Sequence, residues 1–163
     1  VTLGSASKSF NIAGLRSAVG HIGDPRVRAR FEKLSHHFVA APNTLGAEAS
    51  LAAWTQGQPW LDKIKAQLRL NRDHLAARVA ADLPGATMTL PEATYLAWID
   101  FSGSGLVGSP AEIFRERGKI TVHDGAKFCA GAASCVRVNF ATSPDILNTV
   151  VDRMADVLQE ATR

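Results

Sequence analysis

Cysteine is nearly absent: the 163 residues hold two, Cys129 and Cys135. A pair this sparse makes no disulfide framework, and with no second Cys/His pair nearby it makes no zinc site. Reduced, structural thiols in a cytoplasmic protein are expected. Apolar runs are short, none approaching the roughly 20 residues that span a bilayer, so no membrane association is expected. The five histidines, His36-His37 among them, show no metal-ligand spacing tied to a carboxylate cluster, and no metal is expected. Dense charge of one sign is lacking too. The net charge is +3, from 18 Lys and Arg against 15 Asp and Glu, and the basic residues are spread along the chain. The one basic stretch, Arg26, Arg28, Arg30 and Lys33, runs beside apolar Val27, Phe31 and Leu34 at helical spacing, with no aromatic stacking platform. That pattern reads as a solvated helix face, not a nucleic-acid surface. Internal repeats and low-complexity segments are missing. So is an initiator methionine: the chain opens on Val1-Thr2-Leu3-Gly4, strand-like and uncapped, as if cut from the middle of a longer protein.

What is present is an ordinary globular mixture, 46% apolar and 20% charged, long enough to bury a core without staples. Residues 1–4 read as a strand, and Gly4, Ser5, Ala6 and Ser7 make a tight turn into Lys8. A short helix or irregular segment over 12–20 ends at Gly20 and Gly23. Asp24-Pro25 opens a helix over 25–38 with Val27, Phe31, Leu34 and Phe38 on one stripe, and Pro42-Asn43 breaks it. A helix from Leu45 to Thr55 follows. From Trp60 a long connecting helix aligns Leu61, Ile64, Leu68, Leu75, Val79 and Leu83, and Pro84-Gly85 stops it. Beyond it come a strand over 94–101, a helix capped by Ser109-Pro110, short and longer strands over 119–122 and 135–140, and a final helix from Ser143-Pro144-Asp145. That helix carries Ile146, Leu147, Val150, Val151, Met154, Val157 and Leu158 on one stripe. The fold class is α/β, with part of one domain over 1–59, a connecting helix over 60–84 and a small α+β domain over 85–163.

Chemistry concentrates in Ser5-Ala6-Ser7-Lys8-Ser9-Phe10-Asn11-Ile12-Ala13-Gly14-Leu15-Arg16. Small residues before a lysine let backbone and hydroxyls approach a phosphate closely. A lysine on a rigid strand-turn can form a Schiff base with an aldehyde and, once released, act as a base. Arg16 can reach back to the same phosphate with its planar fork.

This segment resembles the cofactor-lysine signature of the class I/II aminotransferase-like enzymes of fold type I, which carry pyridoxal 5'-phosphate (PLP). The resemblance implies that Lys8 holds the cofactor while Ser5 and Arg16 hold its phosphate. Ser17 departs from the small aliphatic residue usual after that arginine, which touches packing. In Cys135-Val136-Arg137-Val138-Asn139-Phe140, alternation places Arg137 on the polar face of a strand, where a guanidinium can clamp a carboxylate bidentately. The segment resembles the family's C-terminal arginine, which implies that Arg137 binds the substrate α-carboxylate. Gly46-Ala47-Glu48-Ala49, Ala52-Ala53-Trp54, Trp60-Leu61-Asp62, Asn71-Arg72-Asp73, Thr94 to Phe101 and Arg137 to Thr142 resemble the carbon–sulfur β-lyase (cystathionine β-lyase) branch. For most of them core and interface packing is reading enough. Tyr95 either approaches the substrate pocket or packs in the core. His123 as a general acid is weighed against an ordinary loop histidine, which is favoured. The branch more often has proline before Gly125, where this chain has Asp124, and glycine after Phe128, where it has Cys129; both touch the pocket edge.

The resemblance implies a chain forming the C-terminal part of a fold-type-I enzyme of amino-acid metabolism: the end of the large PLP domain, the connecting helix and the small domain. It implies a PLP-dependent lyase that cleaves an S-substituted cysteine to thiol, pyruvate and ammonia, or, as the alternative, an aminotransferase (a transferase). Both routes begin with Lys8 removing the Cα proton, so the motif does not choose between them. It also implies a small amino-acid substrate and a homodimer. The family's other cofactor contacts precede the lysine and are not found in these residues, so the chain alone is expected to be inactive. A non-catalytic interaction or regulatory module is the remaining reading, and the set Ser5, Lys8, Arg16 and Arg137 argues against it.

Overall fold

The computed structural model describes residues 1–35, 38 and 43–161. The readings that rested on His36-His37 and Pro42 lie outside them. The chain divides into two compact units, Val1–Lys65 and Ala66–Arg163, with the division inside the long helix.

In the first unit, β1 (Thr2–Gly4) pairs antiparallel with β2 (Val19–His21), Gly4 opposite Val19 and Thr2 opposite His21. β2 is a strand that the Gly-rich sequence did not announce, being three residues long with no alternation to detect. The pair closes residues 5–18 into one loop, tied by a short 3-10 turn at Ala13–Leu15. α1 (Pro25–Phe31) starts where expected, with Asp24 accepting a hydrogen bond from the Arg26 N–H at 2.8 Å. It ends at Phe31, well short of the expected 38. Val27 and Phe31 stay 41% and 46% exposed, so the stripe lacks the packing that sustains a helix. α2 (Thr44–Gln56) is capped by Asn43, whose Oδ1 accepts from the N–H groups of Leu45 and Gly46. α3 (Gln58–Asp82) begins in this unit.

The second unit holds the core. Its sheet runs in the order β3 (Thr87–Met88), β4 (Leu96–Asp100), β6 (Cys135–Asn139), β5 (His123–Asp124), all antiparallel. Ala97 and Ile99 lie opposite Val138 and Val136, and all four are buried. They pack with Leu75 and Val79 of α3 and Leu83 just beyond it, Ala111 and Phe114 of α4 (Pro110–Glu116), and Leu147, Val151, Met154, Val157 and Leu158 of α5 (Pro144–Ala161). Of the expected α5 stripe, Ile146 instead faces solvent at 57% exposure. Ser109 caps α4 by accepting from the Glu112 N–H, with Pro110 at the first helical position. A strand was expected over 119–122. The chain there folds back on α4 instead: Lys119 is left-handed at φ 54°, and the Ile120 N–H bonds the Phe114 carbonyl at 3.2 Å. The strand therefore forms later, at β5. Asn71 of α3 is buried and donates from Nδ2 to the carbonyls of Phe140 (2.9 Å) and Thr142 (2.8 Å), pinning the chain that leaves β6. No helix among the described residues is long and apolar enough to cross a membrane.

Candidate active site

The candidate residues fall in two places, one in each unit. In the first, β1 delivers the chain into a turn in which the Phe10 N–H bonds the Ala6 carbonyl and the Ile12 N–H bonds the Ser7 carbonyl, each at 3.0 Å. Lys8 rides this turn with its side chain exposed, next to the buried Ala6. Ser5 Oγ donates to the Ser17 carbonyl at 2.8 Å and accepts from the Ser7 N–H at 3.1 Å. A hydroxyl has one proton. The 2.6 Å contact between Ser5 Oγ and Ser7 Oγ is therefore donated by Ser7. These bonds draw Ser5 to the turn that carries Arg16. Arg16 is exposed and holds a left-handed backbone, φ 49°, a conformation uncommon for a residue with a Cβ.

Two glycines fix this loop against its helices. A Cβ on Gly46 would lie 2.7 Å from the Leu15 carbonyl and 2.9 Å from Ser17 Cβ. The departure at Ser17 thus falls at a close approach to α2, where a small side chain fits. Asn43 Nδ2 clasps the same Leu15 carbonyl at 3.0 Å. On the other side, Phe10 stacks on Trp60 at 6.0 Å, and a Cβ on Gly57 would strike the Phe10 ring at 2.5 Å. The loop is a shaped cradle of hydroxyls, one lysine and one arginine.

In the second unit Arg137 occupies the middle of β6, directly opposite Trp98 on one side and His123 on the other. All three share the sheet face away from the buried valines. The loop after β5 brings Phe128 onto this face, with the Arg137 Cζ 4.2 Å from the ring centroid. Trp98 and His123 meet Phe128 edge-on at 6.0 and 6.3 Å. Among the described residues the ring is the one partner of the guanidinium; no carboxylate or carbonyl bonds it. Its Nε is the single buried side-chain nitrogen or oxygen among them without a hydrogen bond. A cation so placed is short of an anion.

Asp124, standing where a proline was expected, does work a proline does not: its carboxylate caps the turn by accepting from the Ala126 N–H at 3.0 Å and from Ser109 Oγ at 3.3 Å. Cys129, at the glycine position, is exposed, while Cys135 is buried, and both thiols are free. Tyr95 packs against the core and falls on the alternation of Ala97 and Ile99, opposite in parity to Trp98 and Arg137. The sequence reading missed Trp98 and Phe128 as neighbours of Arg137. Alternation along 94–101 separates Trp98 from the core residues, but only the strand register shows which residue it faces.

The family model for aminotransferase class I and II matches residues 1–154. The chain belongs to the class I and II aminotransferase family. Among curated relatives, cystathionine beta-lyase of Corynebacterium glutamicum is 34% identical over 158 residues, 97% of this chain and 42% of the relative. Among solved structures, a candidate PLP-dependent beta-cystathionase from Corynebacterium diphtheriae superposes with a TM-score of 0.91 at 37% identity, covering 96% of this chain and 42% of that one. The crystal structure of OvoB matches with a TM-score of 0.87 at 43% identity, over 96% of this chain and 40% of that one. The chain thus spans about two-fifths of the length of these family members, and over that length its fold is that of fold-type-I PLP enzymes.

Proposed function

We propose that this chain supplies the lysine-bearing and carboxylate-binding residues of a PLP-dependent carbon–sulfur β-lyase. The substrate class is an S-substituted cysteine of the cystathionine type, cleaved to thiol, pyruvate and ammonia. The observation that carries the reading is the Arg137 guanidinium, presented on an aromatic-lined sheet face with no anion to pair it among the described residues. A family relative named for cystathionine cleavage favours the lyase branch.

The loop residues fit the cofactor. Ser5, Lys8 and Arg16 stand on one loop, with the lysine and the arginine exposed and the Ser5 hydroxyl joined to the Arg16–Ser17 turn. In this reading Lys8 Nζ carries PLP, and the Ser5 hydroxyl and the Arg16 fork hold its phosphate. Ser5 gives up its bond to the Ser17 carbonyl to donate there. When bound, PLP supplies an electron sink for the carbanion formed at Cα. Arg137 grips the α-carboxylate through its terminal nitrogens and so orients the Cα–H bond. Lys8 Nζ would serve as the general base that takes the Cα proton, allowing the β-thiolate to leave. Tyr95 supports the sheet from the core side. A second copy of the protein is the proposed partner, in the cytoplasm.

The test uses the complete protein that contains this chain, supplied with PLP and L-cystathionine. Pyruvate release at catalytic levels supports the lyase. Conversion of the cofactor absorption to the pyridoxamine form without pyruvate would make the protein an aminotransferase, the other reaction open to this family. Lys8→Ala abolishes turnover in either case.

A further inference from the structure

We infer that Phe128 is a positioning residue for Arg137, holding the guanidinium by its face so that its edge stays free for a carboxylate. The inference rests on the proposed role of Arg137. An arginine in a binding site has to be held still, and the usual anchor is a carboxylate. A carboxylate occupies the in-plane N–H groups that a substrate carboxylate needs for a bidentate grip. An aromatic ring attracts the cation through its π face and takes no N–H group. Phe128 supplies such a ring at 4.2 Å, and no acidic side chain among the described residues pairs with Arg137.

The ring is itself held. Its backbone N–H bonds the Gly125 carbonyl at 2.9 Å. Gly125 lies so close to the returning chain that a Cβ there would be 2.4 Å from the Ala132 carbonyl and 2.7 Å from that of Cys135. Trp98 and His123 make T-shaped contacts with Phe128, one from each neighbouring strand. Phe128 is nevertheless 48% exposed, so core packing does not account for its place. The Arg137 Nε is buried without a hydrogen-bond partner, which agrees with a neighbouring ring that offers no acceptor.

Phe128→Leu keeps an apolar side chain and removes the π face. The expected result is a rise in KM for L-cystathionine of about 3- to 30-fold, the range a cation–π contact is worth, with kcat within about threefold of wild type. Phe128→Tyr restores most of the loss. The second readout needs no catalysis. In the 15N-arginine-labelled protein the Arg137 Nε–H proton, assigned by its disappearance in Arg137→Lys, is shifted upfield by the ring current of Phe128. That shift is lost in Phe128→Leu and kept in Phe128→Tyr. An unshifted signal in the wild type overturns the inference, as does an unchanged KM in Phe128→Leu. A fall in kcat and melting temperature at constant KM also overturns it, since that marks a loop merely held together. If the wild type transaminates in place of releasing pyruvate, the lyase reading fails. The same KM and kcat ratios, taken on transamination, then decide the role of Phe128.

Discussion

Replacing Asn71 by leucine tests the joint that fixes the end of β6. The two side chains have similar volume, so packing against the core changes little. What is lost is the Nδ2 group and its bonds to the Phe140 and Thr142 carbonyls. Asn71 is 3% exposed and Phe140 1%, so water does not readily replace the first bond. An orphaned buried acceptor costs about 1–3 kcal/mol. Thr142 is half-buried and partly reachable by water, and its loss adds about 1 kcal/mol. Gln67 loses the acceptor it had at 2.8 Å, but it lies toward the surface and finds water. The expected total is about 2–4 kcal/mol. For a chain of this length that is a fall in melting temperature on the order of 4–16 °C, read by circular dichroism and checked by the urea midpoint. Asn71→Asp is worse near neutral pH, because its carboxylate faces two carbonyl oxygens with no proton to give. Acidification restores one donor, so its deficit against wild type shrinks as pH falls. A loss below about 0.5 kcal/mol in Asn71→Leu would refute the idea that buried, satisfied carbonyls are what this asparagine is for.

Gly57→Ala places a methyl 2.4 Å from the Ala53 carbonyl and 2.5 Å from the Phe10 ring, and is expected to cost about 1–3 kcal/mol. The displaced Phe10 changes the emission of Trp60, and a neutral melting temperature would contradict the close approach. Asp100 is held below the ordinary aspartate value of 3.8 by the Ser102 N–H first and by Ser134 Oγ next. Its folded pKa is depressed, so its contribution to stability is present above the unfolded value and is lost as pH falls through the folded one. Asp100→Asn therefore flattens the acid limb of the stability profile below about pH 4, and an unchanged limb argues against this carboxylate. The purified 163-residue chain with PLP and L-cystathionine is expected to release no pyruvate, and substantial turnover would show that the residues needed for chemistry are all present in it.

Local chemistry settled a good part of this protein in advance. Asp24-Pro25 and Ser109-Pro110 cap helices because a side-chain acceptor and a pre-set φ act within four residues. The long apolar stripe from Leu61 to Leu83 specified α3, and the small residues before Lys8 marked the turn that carries it, though not the strand β2 that closes the loop. Family membership was equally legible, since it rests on residue identities along almost the whole chain. The sequence alone did not limit α1 to Pro25–Phe31, because a helix lasts only as far as its apolar face is covered. Nor did it move the strand from 119–122 to β5, which depended on the Lys119 turn folding back onto α4. The setting of Arg137 was the largest addition. Trp98, His123 and Phe128 are 39, 14 and 9 positions away in the chain; strand register sets the first two opposite Arg137, and one loop brings the Phe128 ring to its guanidinium. Periodicity tells a residue which face it shares. Which partners stand on that face is decided by pairing between strands distant in sequence, and only the tertiary structure holds that information.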